Sequence, residues 1–290
     1  MQISKQLSFQ YSWRIALLSL LTILMAGTAL AVSSLELSPQ RRGLAIAVLQ
    51  PGQLYLLDGM RNELVQLDTT GKELRQSGGF GSAPGLMQDP AALLATGGEL
   101  YTLDRGLARV QRYSRGLGLI WTIDLEQGLT DQNELYTHSL LAMLTNGQLL
   151  IGDSDSRTVL LYDGDAFRTE LIISPTFTGY SLQELTALVS TAGLIHLYDS
   201  TARTLFSFDI WGELQQLQHI PEEKFQVMIT DGEQLYLVGD QVVLELHTSN
   251  DTVIWHPAPW LPRNVTAAAA VAGLLFVLDS EGNRILWERF

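Results

Sequence analysis

The chain has 290 residues, 46% of them hydrophobic and 17% charged, with no cysteine and a formal net charge of −13. That much apolar material excludes a disordered chain, and the missing thiol excludes a disulfide framework, a thiolate metal site and a cysteine nucleophile. The acidic balance, with three lysines and scattered arginines, argues against a nucleic-acid partner, because neutralising phosphates takes clustered cations.

The first thirty-one residues read as a signal peptide, the alternative being an uncleaved anchor, since about seventeen largely apolar residues reach the lower edge of a bilayer span. Lys5 and Arg14 flank an apolar run from Ile15 through Met25, and the segment closes on the small-x-small pattern Ala29-Leu30-Ala31. Cleavage after Ala31 would place residues 32–290 outside the cytoplasm, in the periplasm or the medium. No second run approaches the twenty or so apolar residues of a membrane span, so none is expected after cleavage.

From residue 43 onward one phrase recurs: a short alternating strand ending in Asp, a few small or polar residues, then a second strand. It reads QLYLLD to Asp58, ELYTLD to Asp104, QLLIGD to Asp153, LIHLYD to Asp199, QLYLVGD to Asp240 and LLFVLD to Asp279. A period near forty residues filled with period-two strands predicts four-stranded antiparallel blades, and six of them make an all-β, six-bladed propeller. First strands precede hairpin signals such as Pro51-Gly52, Gly97-Gly98, Asn146-Gly147 and Asp231-Gly232. They are rich in alanine (Ala45, Ala47, Ala91, Ala92, Ala142, Ala187, Ala268 to Ala270), as crowding at a propeller axis requires. Third and fourth strands carry Trp121, Tyr162, Phe206, Phe208 and Trp255, so bulk is expected to grow outward. The sixth unit ends after three strands, and Ser34-Leu35-Glu36-Leu37-Ser38 is a strand without a unit; it is expected to complete the last blade.

These units resemble the NHL-repeat family of six-bladed propellers. The best match is GLMQDPAALLATGGELYTLDRGLARVQRYS, residues 85–114, in which Pro90, Asp104, Arg109, Val110 and Tyr113 hold the family's positions. Asp58 with Asn62, Asp153 with Arg157, Asp199 with Arg203, and Asp279 with Asn283 and Arg284 repeat its core, while Gln241-Val242 departs from it. The resemblance implies architecture. Relatives include ligand-, RNA- and protein-binding modules as well as lyases and lactonases, among which a fold does not choose.

Turns after first and third strands are short, whereas the crossings between blades are long: 77–88, 126–139, 175–183 and 257–264. Long connections on a rigid scaffold are where recognition concentrates. They carry Phe80, Tyr136, His138, Phe177, Tyr180, Trp260 and Arg263, aromatic and guanidinium groups suited to an interface core. The leading expectation is a non-enzymatic module, without a cofactor, that binds a protein partner of the cell envelope, or a glycan, through this face. The alternative is a hydrolase or lactonase using Ca²⁺ or another divalent cation at the channel mouth. There Asp89, Glu184 and Asn264, beside Ser139 and Lys224, precede the first strands of different blades and could supply oxygen ligands. That set is comparable to the one the resemblance implies for propeller lactonases. The repeated Asp residues read as turn acceptors rather than ligands. Gly78-Gly79-Phe80-Gly81 reads as a flexible crossing, and His196, between Ile195 and Leu197, as a packing residue. No nucleophile elbow, P-loop or metalloprotease spacing occurs.

Overall fold

The computed structural model describes residues 32–125, 138–163, 168–174, 176–177, 179–191, 193–220, 225–247, 252–263 and 265–289. The signal segment and Tyr136 lie outside these, as do Lys224 and Asn264.

Alternation of apolar and polar residues in short runs makes strands, and the turns between them make antiparallel blades. Blade 1 comprises β2 (Gly43–Gln50), β3 (Gln53–Asp58), β4 (Glu63–Leu67) and β5 (Glu73–Gly78); blade 2 comprises β6 (Pro90–Thr96), β7 (Glu99–Asp104), β8 (Arg109–Ser114) and β9 (Leu119–Asp124). Blade 3 holds β10 (His138–Met143), β11 (Leu149–Asp153), β12 (Thr158–Asp163) and β13 (Arg168–Ile173). A two-stranded hairpin, β14 (Thr176–Phe177) with β15 (Tyr180–Ser181), occupies the next crossing, which the sequence gives no pattern to reveal. Blade 4 is β16 (Ala187–Thr191), β17 (Leu194–Asp199), β18 (Thr204–Asp209) and β19 (Leu214–His219). Blade 5 is β20 (Phe225–Asp231), β21 (Gln234–Gly239), β22 (Val242–His247) and β23 (Thr252–Pro257). Blade 6 contains β24 (Val265–Val271), β25 (Leu274–Asp279) and β26 (Arg284–Arg289), and β1 (Ser33–Glu36) pairs antiparallel with β26 in the register Leu35↔Ile285.

Each innermost strand touches those of both neighbouring blades, in the closed circuit β2, β6, β10, β16, β20, β24 and back to β2. Six apolar clusters lie one between each consecutive pair of blades, so the core is six wedges of side chains. The alanines of the first strands are buried or half-buried, as crowding demands. Bulk does not keep growing outward, however. Among the largest fully buried side chains, Tyr55, Tyr113, Tyr162, Tyr198, Phe208 and Phe276 sit on second and third strands and Phe225 on a first strand, whereas Ile120, Ile254 and Trp255 on fourth strands are exposed. Each outermost strand is hydrogen-bonded on one side only, and just part of its side chains, Ile123 and Ile173 among them, reach the clusters between blades.

The turns joining second to third strands share one backbone solution. Asn62, Ala108, Arg157, Arg203, Gln241 and Asn283 each immediately precede the third strand of their blade, with φ between 43° and 59°. This is the left-handed region, which asparagine enters most readily. The fifth blade, which departs from the family's residues at this turn, keeps its conformation at Gln241.

His196 is fully buried in β17, its ring between Thr191 Oγ1 (2.8 Å) and Ser207 Oγ (2.9 Å), and burial pushes its pKa down to about 4. The folded protein therefore holds it neutral while the unfolded chain titrates near 6.5. Stability from this group is intact above about pH 6.5 and is lost as pH falls toward 4, by about 3 kcal/mol. Urea melts at pH 7 and pH 4 are expected to show that loss in the parent and to lack it in His196→Gln, which keeps a neutral hydrogen-bonding side chain.

Candidate functional site: the crossing face

The buried aspartates at the ends of second strands organise this face. Asp58 Oδ1 accepts the amides of Arg42 (3.0 Å) and Met60 (2.9 Å), and Asp104 accepts those of Gln88 (3.1 Å) and Asp89 (2.9 Å). Asp199 accepts Gln183 (2.6 Å) and Ala202 (2.8 Å), Asp153 accepts Asp155 and Ser156, and Asp279 accepts Gly282. The carboxylates of Asp58 and Asp199 thus each tie the turn that follows them to the crossing that leads into the first strand, while Asp104 holds the crossing alone. A carboxylate accepting several amides needs no metal to satisfy it.

The crossing from blade 1 to blade 2 is fixed along its length, so its glycine run is not the flexible segment its composition suggests. Gly79 N donates to Asn62 O (2.8 Å), Met87 N to Gly79 O (2.8 Å) and Gly81 N to Met87 O (3.1 Å). Buried Arg109 donates to the carbonyls of Ser82 (2.9 Å), Ala83 (3.1 Å) and Leu86, and Gln111 both donates to Leu86 O (2.9 Å) and accepts Gly85 N (2.6 Å). Gly78, at φ 117°, opens the crossing where a Cβ would stand 2.6 Å from Asn62 O. On this braced loop Phe80 is 75% exposed, and Met60, in the adjoining turn, is 59% exposed. Both large apolar groups face water without the loop being free to bury them.

Near them is a cavity of about 400 Å³ at the blade 1–blade 2 boundary, lined by Arg42, Leu44, Gly59, Asn62, Gln88, Asp89, Pro90, Ala91 and Arg105, with Ser139 of blade 3. Arg105 pairs with Asp89 (Nε to Oδ2 3.0 Å), and Ser139 Oγ lies 2.5 Å from Ser154 Oγ. Of the residues expected from the sequence, Asp89 and Ser139 line this cavity. Glu184 is in the approach to blade 4, where Ser200 (2.7 Å) and Thr201 (2.8 Å) donate to it. Asp89 and Glu184 are thus both engaged by side chains of their own blades, and among the described residues no group of three His, Asp or Glu side chains could hold a metal ion. Tyr180 is 45% exposed, edge-on to Phe206 at 5.9 Å; Trp260 is half-buried against the blade 5–blade 6 cluster, and Arg263 is exposed. The backbones of His138 and Phe177 are in β10 and β14; their side chains lie outside the described set.

Arg42, Met60, Asn62, Gln88 and Arg105 were not expected from the sequence. Arg42 had a usable signal: it precedes β2 as Asp89 precedes β6 and Asn264 precedes β24, so extending that series to the first blade finds it.

No family model matches the chain, and no curated protein matches it. Solved structures do. Catalytically inactive virginiamycin B lyase from Staphylococcus aureus, solved with quinupristin, has a TM-score of 0.63 at 11% identity, covering 90% of this chain and 99% of that one. A Bacteroides fragilis protein whose export is itself inferred has a TM-score of 0.59 at 12% identity, covering 90% and 95%. A chain of the mitotic checkpoint complex has a TM-score of 0.55 at 13% identity, covering 82% and 73%. At such identities the likeness is one of fold, shared by an enzyme, a protein whose export is inferred and a member of an assembly.

Proposed function

We propose that this protein is an exported, non-enzymatic propeller of the NHL-repeat type that binds a protein partner of the cell envelope through its crossing face. The observation that carries the reading is Phe80: an aromatic ring 75% exposed on a crossing that Arg109 and Gln111 hold in place. An aromatic anchor presented by a fixed backbone loses little entropy on docking, which is how a few residues come to dominate an interface. Met60 extends the apolar contact, and Tyr180 is a second exposed ring on the same face. Export is supported by the signal pattern of residues 1–31 and by a neighbour in fold whose own export is inferred, and no helix among the described residues is long and apolar enough to cross a membrane.

Position matters to this reading more than hydrophobicity does, and Trp211 supplies the control. It is 76% exposed in the turn between β18 and β19, on the opposite face. A photoreactive phenylalanine analogue replacing Phe80 is expected to cross-link one partner polypeptide in intact cells, and the same analogue at position 211 to give none. Equal adducts at both positions, or none at position 80, would count against the crossing face.

A further inference from the structure

We infer that the cavity between blades 1 and 2 receives the carboxylate of an acidic side chain carried by a peptide segment of the partner, with Arg42 as its charge anchor. This rests on the partner-binding reading and names what the partner must present.

Two arginines line the cavity, and only one has charge to offer. Arg105 is neutralised by Asp89 through contacts of 3.0 and 3.2 Å. The Arg42 guanidinium has no partner among the described residues, although its amide is fixed by Asp58 and its neighbour Arg41 is enclosed by carboxylates. The carboxamides of Asn62 and Gln88 likewise have no side-chain partner among the described residues, while their backbones are held by Gly79 and Asp104. One cation and two amide donors on anchored backbone, beside an Arg105–Asp89 pair whose charges cancel, suit a two-oxygen monoanion. A phosphate dianion would call for more positive charge than Arg42 alone supplies.

Size and surroundings narrow the ligand further. A volume of about 400 Å³ is at the lower end of small-molecule clefts and admits two or three residues of a peptide. Met60 follows Gly59 of the lining in the chain, and Phe80 follows Gly79, which donates to Asn62 O of the lining, so an apolar residue beside the acidic one would have exposed apolar groups near it. With 31 carboxylates against 18 basic side chains, the protein repels anions elsewhere, so an acidic group would be accepted at this point and disfavoured around it.

The probes are acetyl-Phe-Glu-Gly-amide and its neutral counterpart acetyl-Phe-Gln-Gly-amide, titrated into the purified protein and followed by NMR. The Glu peptide is expected to bind about tenfold tighter, the increment of a charge-assisted hydrogen bond. That ratio is expected to collapse to about one in Arg42→Gln, an exposed substitution whose folding is verified by an unchanged melt. Equal binding of the two peptides, a ratio that survives Arg42→Gln, or no binding at millimolar concentration overturns the inference. So does preferential uptake of acetyl-Phe-Gly with a free C-terminus, or displacement by equimolar inorganic phosphate. Cross-linking at position 80 with no Glu preference leaves the docking face standing and removes this pocket; a Glu preference without cross-linking does the reverse.

Discussion

Arg41→Met is expected to lower the stability of the protein by about 3 to 5 kcal/mol, the loss typical when one member of a buried ion network is removed. Arg41 is buried, and its guanidinium donates to Asp58 Oδ2 (2.9 Å), Glu63 Oε2 (2.7 Å), both Glu73 oxygens (2.7 and 2.8 Å) and Gln76 Oε1 (3.1 Å). Every contact is charge-assisted or close to it, and the three carboxylates hold the guanidinium pKa above its ordinary value despite burial. Glu73 responds in kind: its hydrogen bond to Arg41 lowers its carboxyl pKa. Without the cation, Asp58 keeps two amide donors but stays buried beside two other carboxylates. Arg41→Lys should rescue little, because one ammonium cannot reproduce the fork that spans Glu73 while also reaching Asp58 and Glu63. Glu73→Gln serves as the control. Its side chain is partly exposed, so its loss should cost under about 1 kcal/mol. Urea unfolding of the three variants checks the ranking; an Arg41→Met loss no larger than that of Glu73→Gln would mean the network is not cooperative.

The contrast between Arg41 and the repeated aspartates shows what a sequence can and cannot disclose. Asp58 and its equivalents do a local job: each accepts amides from residues two or three positions on, or from the approach about sixteen residues back. A local job performed once per blade leaves a periodic mark, so blade number, strand order and the hairpin turns could be read from spacing alone. Arg41 works once, and its acidic partners lie 17, 22 and 32 residues away on three strands. No periodicity marks such a contact. The site falls between these cases. Phe80 could be placed on a crossing by counting turns, but its exposure depends on Arg109 and Gln111 bracing a glycine run that composition alone presents as loose. The cavity needs residues of three blades brought together, and Arg42 stands beside Arg41 in the chain with nothing local to show that one is enclosed by carboxylates and the other free to meet a ligand.

A chain beginning at Pro39 should be less stable by about 3 to 6 kcal/mol than one beginning at Val32, and should self-associate. The estimate comes from two leucines at roughly 1.5 to 3 kcal/mol each. Leu35 and Leu37 are buried in the cluster between blades 6 and 1, with Val65 and Leu67 on one side and Phe276 and Ile285 on the other. Beyond packing, Leu37 N donates to Asn283 O (2.9 Å), and Asn283 Nδ2 reaches the carbonyls of Leu37 (3.3 Å) and Ser38 (3.2 Å). Removing β1 strips these away and leaves β26 with an unpaired row of backbone groups, a template for another chain. Leu35→Ser separates the two effects, since it removes apolar contact while leaving the strand to pair: it should lower the melting temperature without association. A synthetic peptide of residues 32–38 added to the truncated chain should restore both monomer and melting temperature, because it refills the cluster and caps the edge together. If the truncated chain melts with the longer one and stays monomeric in sedimentation, the pairing of β1 with β26 contributes nothing to holding the sixth blade.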